Sequence, residues 1–270
     1  MPAHYAHYYF GTKVISSASQ EIKNIVNTNI NTIDSFMLGL HGPDILFFYK
    51  PYKRNPINTE GTLIHRAAGK DFFNRVLPYV KSNSSPENLS YLLGFMCHFM
   101  LDNACHPLVN EYMNKKDLSH STVEMELDSY IIRIKGKDPL LINQLSHVQS
   151  NIVLGKIVSP FYKTTTPKTL CYSITSMKRI LNILTSSSAS KRNFAKQALK
   201  AFKQYESRGG MIVTSVPNPK SIDSSRELFE ALTRTVNKTN KELDYLLTCI
   251  SDDQPLSDIT KLNFNGVKIN

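Results

Sequence analysis

The sequence feature that most constrains the fold is the apolar stretch 94–107, which carries His98, Asp102 and His106. Side chains four residues apart lie on one face of an α-helix, so His98 and Asp102 point the same way. An imidazole and a carboxylate one turn apart can chelate a single metal ion. His106 lies about 12 Å along the helix axis from His98, too far for one ion to contact both. The stretch therefore indicates either a centre with more than one metal ion or a buried helix whose histidines are hydrogen-bonded.

Apolar residues recur at helical spacing through most of the chain, and no strand-like alternation of any length occurs. Pro107 should kink or end the long helix near His106, because proline lacks a backbone donor. The sequence predicts helices over about 19–26, 30–40, 62–80, 88–106, 120–135, 140–154, 170–185, 191–208 and 224–250, a linker over 209–221 and a loosely held tail from residue 251. We therefore expect an all-α, multi-helix bundle.

Seven of the eight histidines precede residue 125, a clustering that structural histidines have no reason to show. His120 and Glu124 form a second histidine–carboxylate pair one helical turn apart. Asp44 follows Gly42-Pro43 in a tight turn, where it either caps the next segment or is aimed at a site. The candidate set is His65, His98, Asp102, His106, His120 and Glu124. Nitrogen and oxygen donors without cysteine suit zinc in an open, catalytic site.

These residues resemble the bacterial zinc-dependent phospholipase C family, which is related to the zinc-dependent single-strand nucleases of fungi and plants. The resemblance rests on Gly42-Pro43-Asp44, a helix histidine at His65, and two motifs, His98-x3-Asp102 with a following histidine and His120-x3-Glu124. It covers roughly residues 4–130. It implies an all-helical fold with a cluster of two or three zinc ions between helices, at the bottom of a cleft.

The resemblance also implies roles for individual residues. His65, His98 and Asp102 would hold one zinc, and His106, His120 and Glu124 would hold a second. A third would be held by an N-terminal histidine, His7 in preference to His4, with Asp102 bridging. Asp44 matches the family aspartate at the cluster, which acts as general base or as metal ligand.

Two features depart from the secreted members of that family. Those enzymes begin with a tryptophan whose amino group and carbonyl bind the third zinc, whereas this chain has no tryptophan. A third site would therefore have to be built differently, for instance with both His4 and His7. In addition, three residues separate Asp102 from His106, where the secreted enzymes have five.

The resemblance favours a phospholipid or other phosphodiester as substrate, hydrolysed by a metal-activated water. The aromatic run Phe47-Phe48-Tyr49 could line an acyl or choline pocket, and is equally suited to a core. One alternative is a single-strand nuclease or other phosphoesterase, which the basic C-terminal half favours. Another is a non-catalytic metal-binding protein on the same fold, which the missing tryptophan favours.

The net charge of +10 is unevenly distributed along the chain. Residues 1–150 hold 14 Lys and Arg against 13 Asp and Glu, and residues 151–270 hold 18 against 9. We therefore divide the chain into a metal-binding domain, 1–140, and a basic helical extension, 141–270, packed on the first. The extension is either a solvated helix face or a contact for an anionic membrane or nucleic acid.

The sequence also bears on location. No apolar run approaches the roughly 20 residues that span a bilayer, and the first residues lack the pattern of an export signal. Four cysteines without a CxxC pair suggest reduced thiols. We therefore expect a cytoplasmic protein without a transmembrane segment.

Overall fold

A computed structural model describes residues 4–269. Over these residues the protein consists of α-helices, short 3-10 helices and turns, with no β-strand and one isolated bridge between Leu262 and Lys268. The α-helices are α1 His4–Ser17, α2 Gln20–Val26, α3 Ile30–Gly39, α4 Pro56–Arg66, α5 Gly69–Ser82, α6 Pro86–Lys116, α7 His120–Ile134, α8 Ile152–Val158, α9 Pro167–Leu184, α10 Ala189–Ala201, α11 Tyr205–Arg208 and α12 Ile222–Ser251. The predicted all-α fold is confirmed.

The centre of the fold is α6, in which every residue from 90 to 102 is buried. A helix that is buried on all sides must be surrounded by other elements, and α1, α3, α7 and α12 all pack against it. Two glycines, Gly39 and Gly94, let α3 cross α6 at close range: a Cβ on Gly94 would lie 2.3 Å from the carbonyl oxygen of Phe36. This crossing brings the carboxyl end of α3 next to His98.

Pro107 lies inside α6, which continues to Lys116, so the predicted helix end near His106 is wrong. Pro107 cannot donate to the carbonyl of Asn103. The segment after α12 packs over the turn of α6 that lacks this hydrogen bond. There the Asn103 side chain donates to the carbonyl of Asn263 at 2.9 Å. His106 therefore keeps its helical register with Asp102.

The helix predicted over 62–80 is two helices, α4 and α5. Ala67 and Ala68 between them are extended, with ψ of 161° and 142°. The N–H of Gly69 donates to the carbonyl of Leu262 at 2.8 Å, so a contact distant in sequence stabilises the break. His65 consequently lies in the last turn of α4, which begins at Pro56, before the helix start predicted at residue 62.

The helix predicted over 140–154 is also wrong, since the chain forms turns there until α8 begins at Ile152. The side chains of Asp138 and Asn143 accept the N–H groups of Leu140 and Leu145 at 2.9 and 3.1 Å. Such local bonds offer the backbone an alternative to helix.

The predicted helices over 170–185 and 224–250 are confirmed by α9 and α12. The basic helix predicted over 191–208 stops at Ala201, because Lys203 takes a left-handed conformation with φ of 54° before the short α11. The predicted linker holds the 3-10 helices Gly209–Met211 and Pro219–Ser221.

The prediction of a loosely held tail is wrong. Phe264 is 1% exposed, and the segment that carries it lies against α5 and α6.

Among the described residues no helix is both long and apolar enough to cross a membrane. The prediction that the chain lacks an export leader falls partly on residues 1–3, which lie outside the described residues.

The amino end of α1 is held by a side chain from α7. Buried Asp128 accepts the N–H of Ala6 through Oδ1 at 2.7 Å and the N–H of Tyr5 through Oδ2 at 3.1 Å. First-turn N–H groups have no partner within their own helix. This contact therefore positions α1, which carries His7.

We expect Asp128→Ala to lower the free energy of unfolding by about 3 kcal/mol, because two buried N–H groups would lose their acceptor. Urea denaturation in the presence of a metal chelator measures the change. Asp244→Ala, at an exposed position of α12, is the control and should shift stability by less than about 0.5 kcal/mol. Equal effects of the two substitutions would contradict this role for Asp128.

Candidate metal centre

All eight side chains predicted for the site meet between α1, α4, α6, α7 and the 3-10 helix Gly42–Phe48. Their possible ligand atoms form three groups, and within each group these atoms lie within 4.8 Å of one another. The groups are His7–His98–Asp102, Asp44–His65–His98 and His106–His120–Glu124.

Asp102 lies at the middle of the cluster and is 6% exposed. Its Oδ1 is 3.1 Å from Nε2 of His7 and 3.8 Å from Nε2 of His106. Its Oδ2 is 3.4 Å from Nε2 of His98 and 3.8 Å from Nε2 of His65. The Asp102 carboxylate thus faces four imidazoles, and each of its oxygens lies near two of the four Nε2 atoms.

Three of the imidazoles are oriented by backbone carbonyls. Nδ1 donates from His65 to Gly61 at 2.7 Å, from His98 to Leu40 at 3.0 Å and from His106 to Phe264 at 2.8 Å. A carbonyl can only accept, so each Nδ1 carries the proton and each neutral ring keeps a lone pair on Nε2. Metal-binding histidines are commonly held in this way.

Several atoms that face the centre lack a hydrogen-bond partner. They include Nε2 of His65, Nε2 of His98 and Oδ1 of Asp44, all of them buried. Leaving a buried polar atom unsatisfied costs about 1–3 kcal/mol, and a cation between these atoms would satisfy them. Imidazole nitrogen and carboxylate oxygen without thiolate is a donor set that suits zinc. The residues present therefore fit the metal.

The third group lies on the solvent side of the centre. Oε1 of Glu124 is 3.0 Å from Nε2 of His120 and 3.3 Å from Nε2 of His106. The His120 side chain is 29% exposed, whereas His106 is 5% exposed. Ser119 caps α7 by accepting the N–H of Thr122 and so starts the helix at His120.

His4 does not join these groups. Its Nδ1 lies 3.4 Å from Nδ1 of His41, and Nε2 of His41 lies 2.8 Å from Nε2 of His147. Burial lowers the pKa of both His4 and His147 to about 3, so these two rings are neutral at physiological pH. Of the two N-terminal histidines, His7 faces Asp102 and His4 faces this separate row.

The charged groups of the cluster strongly shift one another's pKa values. Burial acts to raise the pKa of Asp102, but His106 and His98 outweigh it and hold that pKa well below its usual range. Burial acts to lower the pKa of His106, but Asp102 and Glu124 outweigh it and raise that pKa to about 9. The metal-free centre is therefore a network of paired charges.

We expect the zinc-free protein to lose stability as the pH rises. The pKa of His106 is about 9 in the folded protein, whereas the ordinary pKa of histidine, expected in the unfolded chain, is 6.5. Its stabilising contribution is complete below pH 6.5 and is lost as the pH rises through 9, a change on the order of 3 kcal/mol. Urea denaturation with a chelator from pH 6 to 10 measures this slope.

His106→Gln should flatten the slope. His147→Gln should leave it unchanged above pH 7, because the pKa of His147 is about 3 in the folded protein and its linkage acts between pH 3 and about 6.5. An unaltered slope in His106→Gln would contradict the assignment.

Some residues at the centre were not predicted. The Phe264 ring packs 4.9 Å from the ring of His65 and 5.8 Å from that of His98, and its carbonyl orients His106. The Leu40 and Gly61 carbonyls have no sequence signal, because every residue has a carbonyl. For Phe264 the only hint is that it is the one aromatic residue in the sequence after residue 250.

A family model described as zinc dependent phospholipase C matches residues 6–166. The match spans more than half of the chain and includes every residue of the three groups. The chain belongs to the zinc-dependent phospholipase C family, as the resemblance predicted, and the match extends beyond residue 130. No curated protein and no solved structure matched the chain.

Proposed function

We propose that the chain is a zinc-dependent phosphodiester hydrolase that cleaves phospholipid in the manner of a phospholipase C. The observation that supports it most is Asp102, whose two oxygens face different pairs of imidazole nitrogens. A bridging carboxylate of this kind suits a centre of several ions. Family membership supports the same reaction class.

We assign the ligands from the distances between these atoms. Nε2 of His98 has one lone pair and serves one ion, together with His65 and Oδ2 of Asp102. His7 and Oδ1 of Asp102 face a position for a further ion. The remaining group, His106, His120 and Glu124, holds another. Two or three Zn²⁺ ions are therefore proposed.

Bound zinc would neutralise phosphoryl charge and lower the pKa of an attacking water toward about 7. Among this chain's own groups, Oδ1 of Asp44 is buried and lies 3.1 Å from Nε2 of His65. Burial acts to raise the pKa of Asp44, but His65 outweighs it and the pKa lies below its usual value. We therefore assign Asp44 to orient the water by accepting its hydrogen bond, either as a free carboxylate or as a ligand.

The test is hydrolysis of phosphatidylcholine and of a chromogenic phosphodiester by the purified protein with added zinc. We expect turnover that stops on chelation and is abolished in His98→Ala. The control is His147→Ala, which alters a partly buried histidine outside the three groups. No turnover of either substrate with zinc stoichiometrically bound would overturn the proposal and favour a non-catalytic metal protein.

Cleavage of single-stranded DNA in the same assay, with no lipid hydrolysis, would favour the nuclease alternative.

We also propose that residues 141–270 are a basic extension packed on the metal-binding domain 1–140. A cytoplasmic location belongs to the same proposal. The cytoplasmic location is supported by the four cysteines, which all lie among the described residues and form no disulfide. Disulfides are rare in the reducing cytosol.

A further inference from the structure

An apolar pocket of about 260 Å³ lies beside the metal centre, between the 3-10 helix Gly42–Phe48, α9 and α10. Its lining is aliphatic and aromatic except for Gln204, Arg208 and the hydroxyl group of Tyr52. Engineered apolar cavities of roughly 150 Å³ already take up benzene. Most of the walls come from residues 180–211, beyond the segment that matches the family.

The pocket and the metal centre share a wall. Phe47 lines the pocket, and its ring centroid lies 5.4 Å from that of His65. A molecule in the pocket would therefore be one aromatic ring away from a proposed zinc ligand. Phe48 lines the same pocket although it is only 3% exposed.

Arg208 gives the pocket a cationic mouth. Its guanidinium donates to the carbonyl of Pro51 at 3.5 Å, and among the described residues no carboxylate lies within 4.0 Å of it. Burial lowers its pKa, as expected for a partly desolvated charge without a counter-ion. Arg208 also lines a neighbouring polar pocket with Lys53 and Arg54. The mouth is therefore suited to an anionic group.

The rim of the pocket is both apolar and basic. Phe194 and Phe202 of the α10 region are 70% and 67% exposed, although both line the pocket. Residues 186–205 contain five Lys and Arg and no Asp or Glu. Exposed aromatic residues on a basic helix are typical of elements that lie on anionic membranes.

We propose that this pocket binds one acyl chain of an anionic phospholipid while α10 lies on the bilayer surface. Apolar walls accept the chain, Arg208 pairs with the anionic headgroup, and the α10 lysines contact neighbouring headgroups. That this lipid is the substrate of the metal centre rests on the proposed function.

The test uses fluorescence, because the chain has no tryptophan of its own. Phe202→Trp places a single reporter at the rim, and Ile30→Trp, at a site that is 67% exposed and outside the pocket lining, is the control. Phosphatidylglycerol vesicles should shift the emission of the first variant to the blue and leave that of the second unchanged. Phosphatidylcholine vesicles should bind at least tenfold more weakly.

Two further substitutions in the Phe202→Trp protein separate the pocket from the surface. Arg208→Gln removes the positive charge and adds no bulk to the pocket, and it should weaken binding of phosphatidylglycerol vesicles about tenfold. Ala198→Phe fills the pocket and should weaken binding of palmitate, a chain with no phosphodiester to cleave, at least tenfold.

Equal binding to both kinds of vesicle would overturn the proposal. So would palmitate binding that neither substitution changes, or no saturable palmitate binding at all. These measurements need no turnover. A protein that binds palmitate but hydrolyses no lipid would support this inference and contradict the proposed function.

Discussion

Asp102→Asn is expected to reduce the bound zinc to a single ion per chain and to lower kcat/KM by at least about a thousandfold. Each carboxylate oxygen faces two imidazole nitrogens, so the substitution removes an anionic ligand from two proposed ion positions. The group His106–His120–Glu124 keeps its own carboxylate. Charge stabilisation by a catalytic metal amounts to several kcal/mol, and each 1.4 kcal/mol is tenfold in rate.

Elemental analysis after gel filtration and initial rates on the chromogenic phosphodiester measure the two effects. The matched control is Glu111→Gln, on the same helix, where the carboxylate is half exposed and pairs with Lys115 at 2.9 Å. Exposed pairs of this type contribute little, so zinc content and rate should match the parent. An Asp102→Asn protein with its full zinc content would show that Asp102 does not bridge.

Phe264→Ala is expected to destabilise the protein by about 3–5 kcal/mol, which is typical of truncating a buried phenylalanine. The ring is 1% exposed and packs edge-on against Phe99 and Phe95, with centroids 5.1 and 6.1 Å away. It also contacts His65 and His98. Loss of the ring should therefore weaken zinc affinity, because it leaves two proposed ligands less firmly packed.

Urea denaturation and a competitive zinc titration measure these changes. Phe264→Leu should recover more than half of the lost stability, since it restores apolar volume and keeps the backbone carbonyl that orients His106. Val267→Ala, in the same segment at a residue that is 55% exposed, is the control and should have little effect. A Phe264→Ala protein as stable as the parent would mean that the segment after α12 is not anchored as the structure shows.

Two histidine–carboxylate pairs of the candidate centre could be proposed from the sequence because their geometry is local, whereas His7 and the role of Asp44 came only from the family resemblance. His98 and Asp102, like His120 and Glu124, share a helix face by virtue of a four-residue spacing, and that spacing is visible in the sequence. The all-α fold could be predicted for the same reason, since the apolar period is a property of each segment.

The parts that could not be predicted depend on contacts between distant segments. Pro107 is tolerated within α6 because residues 263–266 cover it, and α4 ends before Gly69 because that residue donates to Leu262. Proline and apolar periodicity are read one segment at a time, so they carry no information about such partners. The same limit explains why the sequence alone predicts a loosely held tail around Phe264.

The hydrogen bond from His106 to the carbonyl of Phe264 also has a consequence for how the centre forms during synthesis of the chain. Every proposed ligand has been synthesised once residue 124 is made, but the group that orients His106 follows only after residues 125–263. Domains begin to fold during synthesis, so a nascent chain can gather its ligands long before it can orient them all. The centre should therefore acquire its final zinc affinity late in translation.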